Sequence, residues 1–238
     1  PERIVMIMNS KKYALKGREG FSLVEVLVAM AILGMLLNGL YSLFSKTVVT
    51  VDIGSWKSST QSRMRITIKQ LQKDIIGASY KTTIFPNKTE VDTASGQWKL
   101  KYKTGPIDPR TTQTDLLTFF ICSPGRDFTP REPAKIDPKI VKAILKCDKA
   151  PDGKTTRLVF TKNVEMGASR PDVTTEDTKN AVLIENVIKY ENKIIENPMS
   201  GDGHKTLKIS IQCAHPSYPK TILNEDIEVP LQVEAVSM

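Results

Sequence analysis

The chain has 238 residues, 40% of them hydrophobic, with a net charge of +8 and three cysteines. That is enough for one substantial folded domain plus an appendage, and it does not force two domains. No cluster of Lys and Arg is interleaved with aromatics, so nucleic-acid binding has no support, and a mildly basic solvated surface accounts for the charge.

The first segment carries Arg3, Lys11, Lys12, Lys16 and Arg18 against Glu2 and Glu19, a balance of +3 that leaves +5 for the rest. From Phe21 to Phe44 there is no Lys or Arg, and Glu25 is the one acid. About 24 residues at about 1.5 Å each make roughly 36 Å of helix, enough to cross a hydrocarbon core of about 30 Å. Basic residues just before a span favour keeping that side cytoplasmic, which puts the body on the far side. A lone acid in lipid costs about 2.5 kcal/mol or more and usually marks a partner; the bland alternative is an acid near the end of an ordinary anchor, reaching the interface. Gly34 and Gly39 interrupt the span, either loosening the helix or permitting close packing.

Beyond the span, Val49, Ile53, Trp56, Thr60, Met64, Ile68, Leu71 and Ile75 recur in steps of three and four and trace one helical stripe. Arg63, Arg65, Lys69 and Lys73 lie away from much of it, Gly54 with Ser58 and Ser59 is a weak spot where the helix could bend, and Gly77 is a stop signal. After Tyr80 the texture becomes strands and turns, with strands expected near Gln97–Lys103, Asp115–Ile121, Arg157–Asn163, Val182–Glu191, Thr206–Cys213 and Ile227–Val236. Pro230 marks the last as an edge or bulged strand. Ile140–Cys147 reads as a short helix or a strand. The Pro-rich stretch 123–139 and the stretches 165–180 and 197–206 read as loops.

If the body lies in an oxidising compartment, one disulfide can form and one thiol is left over; Cys122 with Cys147 closes the shortest loop and is the preferred pair over those with Cys213. The isolated cysteines lack the close pairing of a metal site. His204 and His215 fall in loop-like sequence, with no nucleophile elbow, HExxH, P-loop or dinucleotide fingerprint beside them, so they read as exposed loop residues. Asp202 in NPMSGDGH is the one acid of a loop that would need several for calcium. The residues therefore suggest no enzyme, no cofactor and no metal.

A secretory signal peptide is cut after its apolar region, following small residues, and SKTVVTV after Phe44 offers no such site. The abrupt boundary falls earlier, at Gly20–Phe21. A basic leader, then Gly20, Phe21, Ser22, Leu23, Val24 and Glu25, then VLVAMAILGML, resembles the type IV pilin-like proteins, whose prepilins are cut between a Gly and a Phe or Met. The resemblance covers residues 11–45 closely and the remainder in architecture. It implies an α+β fold in which a long N-terminal helix, half in lipid and half laid against an antiparallel β-sheet head, follows a cleaved leader. The expected divisions are a leader 1–20, a transmembrane helix 21–44, its amphipathic continuation 45–78 and a periplasmic head 79–238. A start at Met6 or Met8 would give a leader of more usual length.

The resemblance also implies that a prepilin peptidase cuts at Gly20–Phe21 and N-methylates Phe21. The new amine would meet Glu25 of a neighbouring subunit, a residue one helical turn along on the same face. The implied partners are other minor pilins or pseudopilins, the major subunit, the peptidase and an inner-membrane assembly platform. The order DLLTFFI, TRLVFTKN, VLIENVIKYENKIIEN and TLKISI is similar to the J-type minor pseudopilins of type II secretion and the W-type minor pilins of type IV pili. It lacks the Trp that often follows the late strand of those proteins and the usual Pro after it. The reading from another class is a monomeric membrane-anchored periplasmic binding or enzymatic domain, for which the span is only a tether.

Overall fold

In a computed structural model of the chain, the described residues are 20–85, 87–108, 114–126, 136–150, 155–196 and 205–238. The expected leader (save Gly20), His204, Asp202 and most of the Pro-rich loop lie outside them. The chain divides into two compact units, a first that ends at Val51 and a second from Asp52 to Met238.

One helix, α1, runs from Leu23 to Ile76 over 54 residues. Gly34, Gly39 and Gly54 do not break it. It closes at Gly77, whose N–H reaches the Lys73 carbonyl at 3.1 Å. In the first unit its apolar side chains are exposed all round, and it is long and apolar enough to cross a membrane. A helix apolar on every face needs an apolar surrounding.

In the second unit the same helix becomes amphipathic. Met64, Thr67, Leu71 and Ile75 are buried, Ile53, Trp56, Thr60 and Ile68 are half-buried, and Arg63, Arg65, Lys69 and Lys73 face outward. The stripe inferred from spacing is present, with Thr67 deeper than Ile68. Thr67 earns that depth by donating its hydroxyl to the Leu183 carbonyl at 3.3 Å. Near the helix end, Asp74 forms a buried ion pair with Lys162 at 2.7 Å.

The head is built from β1 (Thr82–Ile84), β2 (Thr89–Val91), β3 (Leu100–Tyr102), β4 (Gly105–Ile107), β5 (Thr114–Ser123), β6 (Gly125–Arg126), β7 (Lys139–Lys149), β8 (Thr156–Met166), β9 (Lys179–Glu185), β10 (Val187–Glu196), β11 (Lys205–Ala214), β12 (Ile222–Pro230) and β13 (Ala235–Ser237). They form a six-stranded sheet in the order β13-β3-β5-β7-β8-β9, a four-stranded sheet β12-β11-β10-β4 and a small sheet β2-β1-β6. Among the described residues, all pairings are antiparallel except β13 with β3 and β1 with β6. The fold is α+β and pilin-like. One core joins the buried stripe of α1 to Phe119, Leu145 and Phe160 of the larger sheet and Tyr190, Ile209, Ile211 and Val229 of the smaller.

The strand boundaries show where pattern reading stops. The segment read as one strand, Val182–Glu191, is two strands in different sheets, divided at Asn186 with φ of 59°. Asn tolerates that left-handed backbone better than most residues, so a single residue turns the chain from sheet to sheet. Gly105, with φ of 83°, does the same between β3 and β4. Ile140–Cys147 is strand. The segment near Gln97 opens on a 3-10 turn, Gly96–Trp98, before β3. The last expected strand breaks after Pro230, which ends β12 on the edge of the four-stranded sheet, where its missing N–H is harmless.

The preferred Cys122–Cys147 disulfide is overturned. Cys122 sits across from Ile140 at one end of the β5–β7 ladder and Cys147 across from Thr114 at the other. At about 3.3 Å per residue, the register holds them some 25 Å apart, against the roughly 7 Å between Cα atoms that a bridge allows. Cys122, Cys147 and Cys213 are free.

Candidate functional site

The feature with functional chemistry is the start of α1. Gly20 and Phe21 precede the helix without regular structure, and among the described residues nothing lies within 4 Å of the Cβ position of Gly20. The Phe21 side chain is 87% exposed. Ser22 is the helix N-cap: its carbonyl accepts from the Val26 N–H at 3.2 Å, and its hydroxyl oxygen accepts from the Glu25 N–H at 3.2 Å. In return the Ser22 N–H donates to Oε2 of Glu25 at 3.0 Å. This reciprocal pair is a capping box, which satisfies two backbone donors that a helix start otherwise leaves unpaired.

Phe21 lies outside the helix, so in the uncut chain it does not share a helical face with Glu25, as the spacing had implied. Glu25 has a partner within its own chain, and the Ser-x-x-Glu signal before an apolar run was there to be read. The boundary leaves Gly20–Phe21 without regular structure immediately ahead of the helix. That is the form in which a peptide bond is open to a protease.

Residues 15–41 match the prokaryotic N-terminal methylation motif. The motif is of the prepilin type and spans Gly20, Phe21, Ser22, Glu25 and most of the apolar run. The match supports a prepilin-type N-terminus, and α1 is long and apolar enough to anchor the chain in a membrane by a single pass. No curated protein and no solved structure matches the chain.

The other candidates are placed differently. His215, expected in an exposed loop, is buried at 3% exposure in the turn between β11 and β12. Its Nδ1 accepts from the backbone N–H groups of Ser217 and Tyr218, each at 3.1 Å, so that nitrogen is committed to the turn. No hydrogen bond joins it to Cys213 among the described residues, and burial pushes the Cys213 thiol up to about 12. Burial, with the nearby Asp148 carboxylate, raises Cys147 to about 11, and burial raises Cys122 as well. Such groups stay as thiols at neutral pH and make poor nucleophiles. Among the described residues, no three of His, Cys, Asp and Glu gather as a metal site would need.

Proposed function

We propose that the protein is a minor pilin or pseudopilin subunit of a type II secretion or type IV pilus-type filament. Prepilin peptidase cuts it between Gly20 and Phe21, N-methylates Phe21, and leaves the span in the bacterial inner membrane with the head in the periplasm. It then joins, at or near the filament tip, other minor subunits and the major subunit on the inner-membrane assembly platform. The observation that carries this reading is the methylation motif over residues 15–41, with an open Gly20–Phe21 bond placed just ahead of the helix.

The chemistry is electrostatic. In the uncut chain the Phe21 nitrogen is a neutral amide. Cutting turns it into an amine that is largely protonated at neutral pH. The capping box engages Oε2 of Glu25 and leaves Oε1 without a partner among the described residues. An ammonium from an adjoining copy would complete the carboxylate's bonding, and in a low-dielectric surrounding an unmatched partner is expensive, which fixes the axial register.

Mass spectrometry of the native protein tests the reading. A mature chain beginning at a methylated Phe21 is the expected result, and an intact leader overturns it. Glu25→Ala should leave insertion and cleavage largely intact while abolishing co-assembly with the other subunits. Were the span only a tether, that substitution would change little.

A further inference from the structure

We propose that His215 is a clasp that fixes where the head begins to grip α1. The boundary between the two compact units falls at Val51/Asp52, and His215 meets the helix at Asp52 and Trp56, immediately past that boundary. The imidazole is edge-on to Trp56, with ring centroids 5.0 Å apart, and tilted against Tyr218 of its own turn at 4.8 Å. Its Nδ1 accepts two backbone N–H groups, so Nε2 carries the proton of the neutral ring and points towards Asp52, whose Oδ2 is 3.6 Å away. The turn holds the ring, and the ring holds the helix.

The segment it grips needs holding. Gly54 lies between Asp52 and Trp56 with open space around it, and glycine is among the weakest helix formers. Around it Ser55, Ser58 and Ser59 offer no buried side chain, and the first fully buried residue of α1 is Met64. Between Asp52 and Met64 the contact with His215 is therefore the principal aromatic packing available to the helix. Without it the first fully buried side chain of α1 lies at Met64, more than two turns past Trp56, and among the described residues the stretch around Gly54 keeps only the half-buried Ile53 and Thr60 and the Gln61 amide, which donates to Glu225 at 3.4 Å. The inference stands apart from the filament reading, because it concerns packing within the second unit alone.

Hydrogen exchange on the full-length protein in detergent micelles tests it with variants that separate the turn from the ring. His215→Asn keeps a side-chain acceptor for the Ser217 and Tyr218 amides, as Asn does in Asx-turns, but removes the ring. Trp56→Ala removes the other half of the aromatic pair and leaves the turn intact. Aromatic pairs of this kind stabilise enough to change local opening by about three- to tenfold. Both variants are expected to speed exchange at residues 53–60 by that factor while residues 64–76 keep their protection. Unchanged exchange at 53–60 in both variants overturns the clasp. So does acceleration that runs evenly through Ile76 and the sheets, because His215 would then support the whole head. An effect seen with His215→Ala, but with neither of the other two variants, also overturns it, since the turn and not the ring would then be responsible.

Discussion

From Leu23 to Val51, α1 exposes nearly every side chain, whereas from Asp52 to Ile76 it buries Met64, Thr67, Leu71 and Ile75 among the strands of the head. The backbone bonding is the same throughout, yet the two stretches owe their helicity to different surroundings. In a membrane, unsatisfied backbone groups are so costly that an apolar segment has little choice but helix. In water a helix is marginal unless one face is packed, so the second stretch depends on its stripe. The comparison predicts that substitutions affect the two halves through different observables.

The largest effect should come from Asp74→Ala, which leaves the Lys162 ammonium buried without its anion. It should lower the head's stability to urea by about 3–5 kcal/mol, and most of that should return when Lys162 is also replaced by Met. Leu71→Ala opens a cavity beneath the helix and should cost about 2–5 kcal/mol by the same assay. Its counterpart Leu33→Ala, on the exposed half, should leave the head within about 0.5 kcal/mol of wild type. An equal cost at both leucines would erase the distinction between the halves.

Ser22→Ala removes the acceptor for the Glu25 N–H and should weaken the helix start by about 1 kcal/mol. That should be read as faster amide exchange over Leu23–Val26 with an unchanged head. The smallest effect is acidic. Burial pushes the Asp177 carboxyl up, but the Thr174 N–H and the Lys139 ammonium, 3.0 Å away, outweigh it and hold the group below the usual aspartate range. A carboxyl depressed in the folded state contributes stability above its ordinary value near 4 and loses it as pH falls through the folded value. The head should lose less than about 1 kcal/mol from this pair on acidification, a loss that Lys139→Met should reduce.

Much of the helix could be read in advance because its signals are local. The span needs only a run of apolar residues, the stop needs Gly77, and the docked face needs a period near 3.6. Pro230 likewise announced an edge strand, because a missing donor is a property of one residue. The capping box is equally local, a Ser-x-x-Glu signal ahead of an apolar run. By contrast β1, β2, β4 and β6 have three residues or fewer, too short for any alternation to show. The burial of His215 depends on Trp56, far away along the chain, and the separation of Cys122 from Cys147 on the register of two strands.

The order of residues by itself therefore determined that the chain has a helix long and apolar enough to span a membrane, where that helix stops, and which face of its continuation is apolar. Those properties depend on neighbours within a few turns. Only the tertiary structure decided that one segment splits between two sheets at Asn186, that Cys122 and Cys147 stand at opposite ends of one ladder and that a turn histidine reaches the helix. Those outcomes depend on which distant surfaces meet, and burial rewards apolar area without specifying from where in the chain it comes.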